Sequence, residues 1–336
     1  SGIRGLLVKS IRRASVARTA PWLEIAQRQD SPAAAQWKEN TCTSPRPGLP
    51  LHSPNHLSAS HPTMSYAPFI KEIGRGPKGS RPLTVDQAEH LFGDMLDGRV
   101  PDLELGAIIL SMRIKAESVD ELLGFQRALD ARTTHIAVPA GPRLVVLPTY
   151  NGARRQANLM PLLARLLARE GIPVLIQGRH DFESRVSPFE LLAALDIHPA
   201  GSLADAESLL ASDRLACVPL ELLAPGLAPL LATRVRLGVR NSAHTLAKLL
   251  DPAPGHTVRV ASMTHPEYLE RMHEHLVAQG GAAMLLRGTE GEAFANPRRR
   301  PRLEAFAHGQ LLEQRPETDF AALNFLFLRN FIGYVV

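Results

Sequence analysis

The sequence predicts an α/β protein: a small N-terminal helical domain followed by a larger, doubly wound domain built on a mostly parallel sheet. Three observations predict it. Between Leu83 and Arg132, apolar residues recur at helical spacing behind two capping boxes. After Pro139, short apolar runs alternate with amphipathic stretches, the rhythm of βα units whose helices cover both faces of a sheet. The length, 336 residues, is enough for two cores.

The expected divisions are a head (1–63), a helical domain (64–135), an α/β domain (136–318) and an atypical tail (319–336). The head holds both tryptophans, Trp22 and Trp37. From Thr41 to Thr63 it is crowded with Pro, Ser and His and has no apolar period, so it buries too little surface to offset its ordering entropy. Residues 1–23 carry five Arg or Lys and no acid, which superficially suits a transit peptide. The stronger expectation is an over-extended start with Met64 as the natural first residue. Phe320 to Val336 is rich in Phe, Leu and Ile but broken by Asn324, Arg329 and Asn330, and reads as a foreign or truncated end.

Thr84 with Gln87 caps a helix whose stripe is Val85, Ala88, Leu91, Phe92, Met95 and Leu96, and Gly98 ends it. Pro101 to Met112 continues as a second helix. Ser118 with Glu121 caps a third through Leu122, Phe125 and Leu129. Strands are expected at 144–147, 172–176, 215–219, 257–262 and 282–287, with helices at 157–169, 188–195, 227–236 and 266–279 between them.

The net charge of +5 belongs entirely to the head, which has 8 basic and 3 acidic residues; residues 64–336 carry 30 of each. Within them, 140–302 holds 19 basic and 15 acidic residues, a modest local attraction for phosphate. The two cysteines, Cys42 and Cys217, allow no disulfide framework or zinc spacing. Cys217 reads as a core residue, which suits a reducing cytoplasm. No run of about 20 apolar residues predicts a membrane span.

The segment from Ile176 to Asp196 follows an apolar strand and leads into a helix, the usual place for a ligand in an α/β sheet. Several motifs resemble the anthranilate phosphoribosyltransferase family, glycosyltransferase family 3. Gly98, Ala107, Leu110 to Ser118 and Glu121-Leu-Leu-Gly124 are similar to its first helical domain. In that family a Gly-Thr-Gly-Gly-Asp loop holds the pyrophosphate of phosphoribosyl pyrophosphate. Here the loop reads Pro148-Thr149-Tyr150-Asn151-Gly152, and Asn158-Leu-Met160 replaces Asn-Ile-Ser. Thr149 and Asn158 match. Gly152 stands in place of the Asp. Of the family's Lys-His-Gly-Asn-Arg only the Gly is kept, as Gly178, beside Ile176, Gln177, Arg179 and His180. Arg234 matches the acceptor-binding Arg. The Asp-Glu pair that holds magnesium is replaced by Arg287-Gly-Thr-Glu290-Gly-Glu292.

Cleaving a ribosyl bond to pyrophosphate needs metal stabilisation of the leaving group, so the resemblance implies a fold kept and a reaction lost. Arg240 to Lys248, Thr264 to Tyr268 and Asn296 to Arg300 resemble a bacterial branch of the family regarded as nucleic-acid binders without transferase activity. That resemblance implies a homodimer joined through the helical domain, with positive grooves for DNA or RNA.

The residues themselves give a compatible reading. Arg154 and Arg155 enter a helix after a polar loop, where amides and guanidiniums favour phosphate. Arg179 and Arg185 follow the next strand and open on the same edge of a parallel sheet. Arg234, Arg240 and Lys248 flank another turn, and Arg298, Arg299, Arg300 and Arg302 form the densest cluster. With Thr149, Asn151, Gly152 and Asn158 these make the candidate phosphate-binding set. Tyr150, His180, Phe182 and His244 are the only stacking candidates near these loops, so binding is expected to be dominated by backbone phosphate. Glu290 and Glu292 are weak metal candidates and read better as loop carboxylates paired with arginines. His273 and His275 face different sides of a helix and make no metal site.

The leading expectation is a cytoplasmic homodimer binding single-stranded DNA or RNA without sequence preference, without a cofactor and away from membranes. The alternatives are a phosphoribosyltransferase with an altered acceptor, which would need magnesium, and a regulatory binder of a phosphorylated metabolite.

Overall fold

The computed structural model describes residues 65–76, 78–179, 185–296 and 298–317. The head with Trp22, Trp37 and Cys42, the tail 319–336, and the loop residues His180 and Phe182 lie outside the described residues.

Four helices come first: α1 (Ala67–Ile73), α2 (Val85–Leu96), α3 (Asp102–Lys115) and α4 (Val119–Asp130). Both expected capping boxes form. Thr84 and Gln87 exchange side chain and main chain at the start of α2, and Ser118 and Glu121 do so at α4. Between α2 and α4, Phe92 and Phe125 stack with ring centroids 4.8 Å apart. The two helices approach so closely at Gly124 that a Cβ there would stand 2.2 Å from the Val85 carbonyl oxygen. Glu121 is fully buried and pairs with Lys115 at 2.6 Å while also accepting from the Leu83 amide.

The larger part follows as β1 (Leu144–Thr149), α5 (Met160–Arg169), β2 (Val174–Gly178), α6 (Pro188–Ala193), α7 (Leu203–Ser212), β3 (Leu215–Pro219), α8 (Leu220–Leu223), α9 (Leu227–Leu237), α10 (Ala243–Leu246) with a short 3-10 turn at Ala247–Leu249, β4 (Thr257–Met263), α11 (Pro266–Gln279), β5 (Ala283–Arg287), β6 (Leu303–Ala307) and β7 (Gln310–Arg315). The sheet order is β3-β2-β1-β4-β5-β6-β7. The first five strands are parallel, and β6 and β7 add an antiparallel edge. Two apolar clusters pack on the faces of this sheet, one shared with the helical bundle through Phe92, Leu122 and Leu246, the other around Leu147, Ile176 and Cys217.

Two expectations change. The helix expected from 157 begins at Met160, because the Asn158 side chain accepts from the Met160 amide and residues 154–156 give their amides to Glu290. Arg154 and Arg155 therefore lie in a loop and not at a helix entry. The β6–β7 hairpin was not expected; β7 is almost wholly exposed and carries no apolar period.

The chain order reverses between β1 and β4. From β1 it winds outward through β2 and β3, then returns to lay β4 on the other side of β1. Pairing between these two strands stops at Val146 and Arg259, although β1 continues to Thr149 and β4 to Met263. Their carboxyl ends thus splay apart, and a crevice of this kind is where an open α/β sheet offers a ligand site.

Candidate functional site

Over the splayed ends lies a cleft of about 140 Å³ between the helical domain and the sheet edge. Arg113 and Glu117 reach it from α3 and the turn after it, Arg240, His244 and Lys248 from the segment around α10, and Tyr268 from α11. Arg113 donates to the Tyr268 hydroxyl at 2.7 Å. Arg240 donates to the Asn151 side-chain oxygen. Lys248 Nζ donates to the carbonyls of Ser262 (2.7 Å) and Gly291 (3.1 Å). Glu117, the one acid in the cleft wall among the described residues, already accepts from the Ser242 hydroxyl and lies 3.8 Å from Arg271.

Among the described residues no carboxylate stands within ion-pair distance of Arg113, Arg234, Arg240 or Lys248. The consequence is visible in the ionisation of the site. Desolvation pushes the Arg240 guanidinium below its usual range, and Arg234, Arg185 and Arg113 push it further. Burial, with help from Arg240 and Arg234, lowers His244 to about 3, so its imidazole is neutral. Burial lowers Lys248 to about 8, opposed by Glu292 and aided by Arg240.

Beside the cleft, the loop after β1 turns its main-chain amides inward. Glu292, fully buried, accepts from the amides of Asn151 (2.9 Å) and Gly152 (3.0 Å). Glu290 accepts from those of Arg154 (3.2 Å), Arg155 (2.9 Å) and Gln156 (2.9 Å). Burial works against the Glu290 carboxylate, but the three amides and Arg185 outweigh it and hold its pKa below the ordinary value. For Glu292 burial dominates and pushes the pKa up. The two carboxylates were expected to pair with arginines. Among the described residues only Arg185 comes near, 3.9 Å from Glu290, and the main partners are backbone amides, which carry no signature in side-chain spacing.

The same geometry decides the metal question for these residues. Three of the four oxygens of Glu290 and Glu292 accept amide hydrogens, and N–H donors aimed at a point repel a cation there. The pair does not fit a divalent ion. Among the described residues no three His, Cys, Asp or Glu side chains gather as a metal site.

The expected phosphate-binding residues divide into three groups. Thr149 is buried, Gly152 spends its amide on Glu292, and Asn158 spends its side chain on the Val186 carbonyl and the Met160 amide, so these three act inside the fold. Asn151 is likewise buried, but its oxygen orients Arg240. Arg154, Arg155 and Arg234 are exposed, and Arg185 is half-buried with a hydrogen bond to the Gly152 carbonyl. Arg179 is half-buried and donates to the Ala228 carbonyl. In the Arg298–Arg302 run, Arg298 is exposed, Arg299 pairs with Glu317, Arg300 donates to the Pro316 carbonyl and Arg302 pairs with Glu304. That run is largely engaged with the β6–β7 hairpin. Tyr150 is not a stacking platform: it is buried, with its hydroxyl on Gln177. Arg113, on a helix remote in sequence, was not foreseen. Its position in Ser-Met-Arg-Ile-Lys was legible as helix, and its partner Tyr268 was not.

No helix among the described residues is long and apolar enough to cross a membrane. Comparison with known proteins agrees with the fold. Residues 67–133 match the glycosyl transferase family helical bundle domain. The chain is 45% identical over 242 residues to the uncharacterized protein YbiB of Escherichia coli K12, covering 71% of this chain and 76% of that relative. It is 26% identical over 227 residues to anthranilate phosphoribosyltransferase of Beijerinckia indica, covering 67% of this chain and 65% of the enzyme. Among solved structures, anthranilate phosphoribosyltransferase from Thermus thermophilus aligns with a TM-score of 0.61 at 20% identity over 73% of each chain. The Saccharomyces cerevisiae enzyme in complex with PRPP and Mg aligns with a TM-score of 0.59 at 12% identity, over 74% of this chain and 72% of the enzyme.

Proposed function

The chain belongs to the anthranilate phosphoribosyltransferase-like glycosyltransferase family 3, and we propose that this member binds single-stranded nucleic acid through its phosphates, without metal, without sequence preference and without transferase chemistry. One observation carries the reading: Arg113, Arg185, Arg234, Arg240 and Lys248 converge from three distant stretches of chain on the cleft and its rim, and repel one another there. Arg185 alone of these lies near a carboxylate, 3.9 Å from Glu290; cations that keep no such partner among the described residues raise the local concentration of polyanions and lose their mutual repulsion when phosphate binds. Arg154 and Arg155 extend the positive surface outward along the same sheet edge. Tyr150 being withdrawn, stacking contributes little and phosphate contacts dominate.

The protein acts as a homodimer in the cytoplasm. Support for the dimer comes from α3, where Leu103, Leu110 and Ile114 lie on one face and are 83%, 42% and 71% exposed, an apolar stripe that a second copy would cover. Cys217 is a buried free thiol pushed up to about 12 by burial, which is compatible with a reducing compartment.

A salt titration of single-strand binding tests the reading. With about five phosphates neutralised, log affinity falls against log salt with a slope of roughly −3 to −4. Absence of binding at low salt overturns it. Calorimetry with phosphoribosyl pyrophosphate and magnesium separates it from the transferase alternative: tight, magnesium-dependent binding with pyrophosphate release on adding an acceptor supports the enzyme instead.

A further inference from the structure

Five main-chain N–H groups within six residues point at two carboxylates. Those of Asn151 and Gly152 meet Glu292, and those of Arg154, Arg155 and Gln156 meet Glu290, all at 2.9–3.2 Å. Between the two sets the Ala153 amide turns away to the Val186 carbonyl at 3.0 Å; the five others form a donor surface whose natural guest is an anion with several acceptor oxygens. Three amides on a single carboxylate exceed what one turn needs for its own closure. The guest here is part of the chain.

The loop that delivers it is held under strain. Glu290 sits at φ 54, a left-handed conformation that a residue with a Cβ adopts at a cost. Gly291 follows at φ 90, and a Cβ there would stand 2.6 Å from the Asn151 side-chain nitrogen. The Gly291 carbonyl takes three donors: the Asn151 amide group (3.0 Å), the Lys248 ammonium (3.1 Å) and the Ser262 hydroxyl (3.0 Å). Three clamps on one carbonyl hold the strained turn so that Glu290 reaches over the amides. The second oxygen of Glu292 is buried, and the Thr149 hydroxyl, which favours its charged form, does not close a hydrogen bond of ordinary geometry with it. That is a further cost borne at the same spot.

We propose that the amides of Asn151, Gly152, Arg154, Arg155 and Gln156 form a phosphate cradle held shut by the protein's own carboxylates, with Glu290 as the specificity determinant that turns away free phosphate and diphosphate groups. Only compact anions that must seat an oxygen among the amides are excluded. A strand lying across the exposed side chains of Arg154 and Arg155 and the cleft cations is not. The inference rests on the hydrogen bonds of this loop and stands whether or not the polyanion is nucleic acid.

The test is calorimetric titration of the full chain with inorganic pyrophosphate, without divalent metal, paired with hydrogen exchange of the 151–156 segment. Wild type is expected to give no saturable heat at millimolar pyrophosphate and no slowing of exchange in that segment. Glu290→Ala is expected to bind at least about tenfold more tightly than wild type, with slowed exchange at 151–156. Glu290→Gln, which keeps an acceptor over the amides, is expected to gain less than the alanine variant. A folded Glu290→Ala protein that gains no affinity, or gains it without protection of 151–156, overturns the proposal. Should that variant fail to fold, wild type and Glu290→Gln still decide: pyrophosphate that slows exchange of 151–156 in wild type means the cradle is open and the proposal wrong. Strand binding measured on the same proteins is read separately, so loss of the plug hypothesis leaves the polyanion reading untouched, and the reverse.

Discussion

Two anion-attracting surfaces lie side by side at the splayed ends of β1 and β4, and the protein treats them in opposite ways. In the amide cradle the donors of Asn151, Gly152, Arg154, Arg155 and Gln156 are satisfied by carboxylates of the same chain. In the cleft Arg113, Arg240 and Lys248 have no carboxylate within ion-pair distance among the described residues, and Arg240 and Lys248 are pushed below their usual pKa ranges. Asn151 belongs to both: its main-chain amide donates to Glu292 and its side-chain oxygen accepts from Arg240. Attraction for anions at this edge is thus split between a closed amide surface and an open cationic one. At its Asn151–Gly152 end, closing the cradle satisfies buried polar groups, which the fold needs. Leaving the cleft open costs stability through like-charge repulsion, and such a cost persists where a ligand relieves it.

The sharpest way to break this division is to exchange the roles. Glu292→Ala leaves the amides of Asn151 and Gly152 buried without an acceptor and removes the nearest negative charge from Lys248. A destabilisation of about 3 kcal/mol is expected from the two orphaned donors, read by denaturant unfolding, with strand affinity nearly unchanged under conditions where the variant is folded. The converse is the double variant Arg113→Ala with Arg240→Ala. Strand affinity is expected to fall by roughly 100-fold, about tenfold for each lost charge-assisted contact. The salt slope should shrink by about 1.4, and thermal stability should hold or rise as repulsion is relieved. If the cleft variants lose stability and the cradle variant loses affinity, the division is wrong.

Sequence and structure agree on the parts governed by local chemistry and part where distant segments meet. The capping boxes at Thr84 and Ser118 and the βα rhythm after Pro139 were legible because caps and apolar periods act over a few residues. The arginines of the loops after β1 and β2 were placed on one sheet edge by topology alone. The β6–β7 hairpin was not legible, because β7 is exposed on nearly every residue and an edge strand without a buried face has no period. Arg113 was missed because its partner at the cleft, the Tyr268 hydroxyl on α11, is far away in sequence. The amide cradle was missed for a more general reason: main-chain donors are the same in every residue. One signal was present, two glutamates at i and i+2 around a glycine in Gly288-Thr-Glu-Gly-Glu292, in a loop with left-handed turns. Acids carried on such a loop reach main-chain amides more readily than side chains that remain mobile.

A smaller effect sharpens the cleft side through pH. Lys248 loses its proton around pH 8 in the free protein, and a bound phosphate favours its charged form. Strand affinity is therefore expected to fall between about pH 7 and 9, by up to roughly tenfold, for the loss of one cation. Lys248→Gln should bind more weakly at pH 7 and show a flat profile over that window. A wild-type profile equally flat would mean that Lys248, tied to two carbonyls, does not face the ligand.

The smallest expected effect sets the two carboxylates of the cradle against each other. Glu290 has a folded pKa below the ordinary 4.5, so its ionised form stabilises the fold; that contribution is full above 4.5 and is lost as pH falls through the folded value. Glu292 has a folded pKa above 4.5; its contribution is full below 4.5 and is lost as pH rises through the folded value. The glutamine variants should therefore move in opposite directions. The stability gap between wild type and Glu290→Gln widens as pH rises from about 3 to 5, whereas the gap between wild type and Glu292→Gln narrows as pH rises above 4.5. Unfolding free energies measured for the three proteins across that range check the signs. Parallel curves for the two variants would mean that both carboxylates sit in one electrostatic environment, and that the deep and shallow ends of the cradle are not distinct.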